Sequence, residues 1–218
     1  VDTSGSMYSD DGIPLYSAIG LGCRIAEKSK LGKRVLTFSG HPSWINLDGC
    51  STLTDMTTKI KSSNEWGFNT NFTAALKLIL SAICERKLPQ KEVSNMILVV
   101  LSDMQIDENG NEPIDKCMLD HIHRLYHDAG MKTIGLPYTP PHILFWNLRA
   151  TNGYPALANH MGCSMMSGAS PQLLNTFCNL GIDCLNSYTP WKMLLNVLDH
   201  DRYKEIGDQC DKFIQECQ

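Results

Sequence analysis

Apolar residues at Phe72, Ala75, Leu76, Ile79, Leu80 and Ile83 recur at i, i+3, i+4, i+7, i+8 and i+11, the spacing that gathers one buried stripe on a helix. The pattern predicts a helix over 72–86. Leu15, Ile19, Gly22 and Ala26 form a similar stripe behind Pro14, a residue suited to a first helical turn, and predict a helix of about 15 residues there. Its small residues Ala18, Gly20 and Gly22 predict close packing on a sheet. A different pattern marks "NMILVVLSD", residues 95–103, where six apolar residues run without alternation. A strand covered on both faces in a parallel sheet reads this way. "HILFWNL" (142–148) predicts a second buried strand and "GCSMMSG" (162–168) a third.

Between the first two helices, "KRVLTFSG" and "PSWINLDG" predict two short strands joined by a tight turn at Gly40 to Pro42, followed by a helix over "STLTDMTTKIKSS". "PIDKCMLDHIHRLYHDAG" predicts a helix with Pro113 near its start and Gly130 as its stop. "PQLLNTFCN" and "TPWKMLLNVLDHDRYKEIG" predict closing helices. Strands alternating with helices imply an α/β fold, doubly wound around a mostly parallel central sheet with helices on both faces. Residues 1–218 are expected to form one domain, with 186–218 as its C-terminal helical segment. In such folds ligands bind at the carboxyl ends of the strands. The segments to search are therefore "DTSGSM", "SDMQID", "NLRATNG" and "SGASP".

Composition narrows the function classes. The chain is 43% hydrophobic and 19% charged, enough apolar material for a large core. A net charge of −4 and a pI near 6.0 leave no general electrostatic footprint for nucleic acid. Nine cysteines, with no CxxC pair among them, argue against a zinc site and against a secreted disulfide scaffold. They point to free thiols in a reducing, cytoplasmic setting. No apolar run is long enough to span a bilayer, so no membrane partner is expected. His123 and His127, one helical turn apart, read as a solvated helix face. The formal sequon Asn71-Phe72-Thr73 reads as coincidence, with Asn71 as a loop or cap residue beside Thr70. GxSxG, P-loop and GxGxxG motifs are absent from the sequence.

The chain opens on "VDTSGSM". Asp2, Ser4 and Ser6 alternate along a tight turn, and Gly5 frees the backbone for their oxygens to converge. A carboxylate with hydroxyls is a hard, oxygen-only donor set that suits Mg²⁺, Mn²⁺ or Ca²⁺. Asp103, ending the most buried strand, would add a second carboxylate, and Thr70 in "EWGFNTNFTAAL" another hydroxyl. The alternative for the opening run is an ordinary strand-to-helix turn with a Ser N-cap. An aspartic protease would need Gly where Ser4 stands, and an aspartyl-nucleophile phosphatase a second Asp there.

The run Asp2, Ser4, Ser6, followed by Thr70 and then Asp103, resembles the metal-ion-dependent adhesion site of von Willebrand factor A domains. The resemblance implies that Ser4, Ser6 and Thr70 bind the ion directly or nearly so, while Asp2 and Asp103 act largely through bound water. It also implies an open coordination position for an acidic group on a partner protein. "SDMQID", "FWNLRAT" and "SMMSGAS" resemble hallmarks of an intracellular group of von Willebrand A-like proteins of plants and giant viruses, more distantly related to Ro/TROVE ribonucleoproteins. Against that pattern the apolar first half of the opening strand is missing, as is the upstream helical region that does much of the RNA binding in Ro-like proteins. Gln105, Asp107, Asn147 and Arg149, with Asn71, are candidate partner-binding residues, and Arg149 is the natural group to meet an acidic or phosphate-bearing ligand. The expectation is a non-enzymatic, metal-dependent interaction module. Its rivals are an RNA-binding ribonucleoprotein component and a metal-dependent hydrolase.

Overall fold

The protein is described here from a computed structural model that covers residues 1–29, 31–37, 41–63, 72–105, 116–150, 162–181, 191, 194–195, 198 and 203–216. The chain separates into two compact units, Val1–Leu174 and Asn175–Gln218. The larger unit is α/β. Its strands form an antiparallel pair, β1 (Arg34–Thr37) with β2 (Ser43–Asn46), and a parallel three-stranded sheet in the order β3 (Ile97–Ser102), β4 (His142–Asn147), β5 (Cys163–Ser167).

The unalternating apolar runs become the parallel strands for the expected reason. Ile143 to Asn147 are buried without a break, so both faces of β4 are covered. Helices α3 (Phe72–Glu85) and α5 (Lys116–Ile134) share one core with the sheet, in which Phe72, Leu76, Ile79 and Ile83 meet Val100, Ile122, Tyr126, Ile143 and Phe145. Helix α1 (Ile13–Ala26) carries Pro14 in its first turn and packs against β1, β3 and α2 (Leu53–Ser62). The close approach expected of its small residues occurs at Gly22, where a Cβ would lie 2.6 Å from Val1 Cγ2, and not at Gly20, where the space is open. Thr52 caps α2 through a reciprocal pair of hydrogen bonds with Asp55.

One helix end differs from expectation. Gly130 does not stop α5, which runs to Ile134 before Gly135 takes a left-handed φ of 74°. Gly130 serves packing instead: a Cβ there would sit 2.3 Å from the Tyr138 nitrogen and 2.5 Å from the Leu136 oxygen. A short helix, α4 (Gln90–Ser94), links α3 to β3 and carries no periodic signal of its own. In the second unit, which begins within α6 (Pro171–Leu180), the last helix α7 (Lys204–Glu216) continues through Gly207, and Ile206, Phe213 and Ile214 on it are exposed. Among the described residues no helix is long and apolar enough to cross a membrane.

Register fixes where function can sit. Ser102 pairs with Asn147, and Asn147 with Ser167, so the three parallel strands end in line. Leu148 N donates to Ser102 O at 2.9 Å and Gly168 N to Asn147 O at 2.9 Å, which carries the ladder one rung into the loops. The opening residues join the same edge. Asp2 N donates to Leu101 O at 2.9 Å, while the Val1 nitrogen reaches Leu36 O in β1 at 2.8 Å.

Candidate functional site

The turn that follows Asp2 is built by its own side chain. Asp2 Oδ1 accepts from Ser4 N at 2.8 Å, which folds the chain so that Ser4 and Ser6 return to the same side. Ser4 precedes a short 3₁₀ turn, Gly5–Tyr8, but its hydroxyl makes no capping bond. The Ser4 Oγ instead lies 3.1 Å from Ser6 Oγ, and Ser6 Oγ donates to Asp103 Oδ1 at 3.2 Å. Four of the oxygen-bearing residues singled out in the sequence, Asp2, Ser4, Ser6 and Asp103, thus form one cluster at the carboxyl edge of β3. Thr70, Asn71 and Asp107 lie outside the described residues.

Both carboxylates are fully buried, and Ser4 nearly so. Burial pushes the Asp2 carboxyl above its ordinary value, with hydrogen bonds from Ser102 and Ser4 pulling it down and the Asp103 charge adding repulsion. The Ser102 hydroxyl donates to Asp2 Oδ2 at 2.5 Å and accepts from Met104 N at 3.0 Å. Asp103 Oδ1 also accepts from Gln105 N at 3.3 Å. Met104, between these two bonds, is held at φ 64°, and Asp10 and Asp11 at φ 55° and 58°. Left-handed backbone at a residue such as Met104 persists where surrounding bonds over-determine it, and it gathers at functional loops.

Arg149 closes the cluster from the β4 loop. Asn147 Oδ1 accepts from Arg149 N at 3.0 Å and so shapes that loop, and Asn147 is itself buried. The guanidinium donates from Nε to Asp10 Oδ2 at 3.1 Å and sets Nη1 3.7 Å from Asp103 Oδ2. Gln105 is exposed at the rim. Sequence reasoning passed over Ser102 and Asp10. Ser102 was legible as the last residue of an apolar strand directly before Asp103; Asp10 carried no signal, because its partner stands 139 positions away.

The donor set can be tested against a bound ion. Among the described residues no three His, Cys, Asp or Glu side chains group as a metal site. The cluster is instead two buried carboxylates with two hydroxyls, all oxygen, which fits a hard divalent cation and suits neither zinc nor copper. Asp2 already accepts on both oxygens, so it is placed to orient neighbouring groups more than to ligate. His123 and His127 are exposed on α5, with His127 Nδ1 3.1 Å from Asp128 Oδ1. Cys23, Cys50, Cys84, Cys163, Cys178 and Cys210 are free thiols.

Fold and cluster together define an α/β domain with an oxygen-lined site where parallel strands end. The chain belongs to the family described as a domain of unknown function, DUF7788, whose model matches residues 1–196. It is also 32% identical, over 203 residues, to an uncharacterized protein of Acanthamoeba polyphaga mimivirus. That match covers 91% of this chain and 32% of the viral protein, so the chain spans about a third of its relative's length.

Proposed function

We propose that this chain is a von Willebrand A-like, doubly wound domain that binds a divalent cation, Mg²⁺ or Mn²⁺, and uses it to capture an acidic group of a partner protein. The observation that carries the reading is the convergence of Ser4, Ser6 and Asp103 at the sheet's carboxyl edge, with Ser6 Oγ 3.1 Å from Ser4 Oγ and 3.2 Å from the Asp103 Oδ1 that lies 97 positions away. Ser4 and Ser6 would offer hydroxyls to the ion, and Thr70, outside the described residues, is proposed as a further direct ligand. Asp2 and Asp103 would hold the ion's water and supply the negative charge. The ion, when bound, supplies a Lewis-acidic position for a carboxylate oxygen. Asp2 accepts hydrogen bonds on both oxygens and Asp103 on Oδ1, engagements that support an orienting, ion-binding role over that of a general base. Free thiols such as Cys23 and Cys163 support a reducing, cytoplasmic setting.

Calorimetric titration of Mn²⁺ into the wild type and into the Ser4→Ala/Ser6→Ala double variant tests this reading. Binding to the wild type and its loss in the variant, with acidic peptides retained only while the ion is present, is the expected result. Absence of ion binding in chelator-free buffer overturns it. Phosphate-ester turnover abolished by Asp2→Ala would mark a hydrolase instead, and RNA retention falling steeply with salt a ribonucleoprotein component.

A further inference from the structure

Two carboxylates removed from water call for opposite charge nearby, because an unpaired buried charge is strongly disfavoured. Asp2 and Asp103 are such a pair, and Arg149 is the cation that the described residues set against Asp103. The contact is peculiar in its geometry. Nε of Arg149 is hydrogen-bonded at 3.1 Å to Asp10, whose side chain is 61% exposed, whereas Nη1 stands 3.7 Å from the fully buried Asp103 Oδ2. The first distance is a hydrogen bond; the second is too long for one. Arg149 is therefore anchored outside the cluster and acts on Asp103 through charge, without occupying its lone pairs. A group held this way offsets the carboxylate's charge without hydrogen-bonding to it.

From this arrangement we infer that Arg149 is the site's resident counter-cation: it balances Asp103 in the ion-free protein and opposes the entering divalent cation, so that its charge sets the ion affinity. The inference rests on the metal-binding reading above and adds to it a residue that works against the ion. The opposition is electrostatic and needs no change of fold. To admit the ion, the guanidinium's charge must be withdrawn or outweighed. An acidic group arriving at the rim would draw it off, because Arg149 is already paired with an exposed carboxylate, that of Asp10.

The test is Mn²⁺ titration calorimetry on the wild type, Arg149→Gln and Arg149→Lys, with circular dichroism melts to confirm folding. Removing a unit of like charge within a Debye length of the ion tightens Mn²⁺ binding in Arg149→Gln by about tenfold. Arg149→Lys keeps the charge without the planar fork and stays near wild type. If Arg149 only shaped the loop, both variants would bind the ion equally or more weakly, and that result overturns the inference while leaving the metal site standing. Should Arg149→Gln fail to fold, Arg149→Met retains the stem and is expected to tighten binding likewise; unchanged or weaker affinity there also overturns it. If neither the wild type nor the variants bind Mn²⁺, the metal reading and this inference fall together.

Discussion

Ser6 and Asp103 lie 97 positions apart in the chain, and the hydroxyl of the first donates to the carboxylate of the second at 3.2 Å. This bond ties the opening turn to the end of the most buried strand, so its removal reports on the site more than on the core. Ser6→Ala is expected to keep the fold, to cost about 1 kcal/mol of stability for one lost hydrogen bond, and to weaken Mn²⁺ binding. A melt paired with calorimetry checks both, and unchanged ion affinity would remove Ser6 from the site.

Tyr126 offers a cleaner stability measurement. Its ring is buried in the central core and its hydroxyl has no hydrogen-bond partner among the described residues. Burial accordingly pushes its ionisation upward. Tyr126→Phe removes a desolvated polar atom without a cavity, and is expected to stabilise the protein by about 1 kcal/mol. Chemical denaturation measures this; a loss of similar size would reveal a partner for the hydroxyl.

Gly130 predicts the opposite sign. With Tyr138 N at 2.3 Å and Leu136 O at 2.5 Å from a Cβ built there, neither neighbour is a side chain that can turn away. Gly130→Ala is expected to cost about 3 kcal/mol through displacement of the 136–138 segment, although alanine is the better helix former. Gly20→Ala, facing open space within α1, serves as the control and should be neutral or mildly stabilising.

His142 gives a pH dependence. Its Nε2 lies 2.7 Å from Ser164 Oγ, and burial lowers its pKa below the ordinary 6.5. The folded state then binds fewer protons than the unfolded one between the lowered value and 6.5, so stability rises with pH across that interval. The contribution is fully present above pH 6.5 and is lost as the pH falls through that value toward the lowered one. Urea midpoints for wild type and His142→Gln at pH 7.5 and 5.0 should differ most in their change between the two conditions. Parallel profiles would show that His142 carries none of the dependence.

Thiol chemistry separates the cysteines. Burial pushes the Cys23 thiol up to about 11, whereas Cys210 is exposed on α7. Because the thiolate is the reactive form, iodoacetamide at neutral pH should label Cys210 rapidly and Cys23 only on unfolding. Mass spectrometry over a labelling time course reads this directly, and early modification of Cys23 would contradict its burial.

What the sequence determined by itself was local. The repeat from Phe72 to Ile83 specified α3, the unbroken apolar runs specified β3 and β4, and strand-helix alternation specified an α/β sheet edge as the place to look. Asp2, Ser4 and Ser6 were legible as a cluster because a two-residue spacing and a glycine put them on one turn. Local patterns carry no information on register, and register is what tertiary structure decided. The alignment of Ser102 with Asn147 set the β4 loop beside Asp103 and let Arg149 meet Asp10 across 139 positions, while the bond from Asp2 N to Leu101 O brought Asp2 to Ser102. Gly130 makes the same point in the core. Its sequence context reads as a helix stop, yet the chain that returns over it at Leu136 to Tyr138 requires the missing Cβ, a constraint that exists only once distant backbone has been packed.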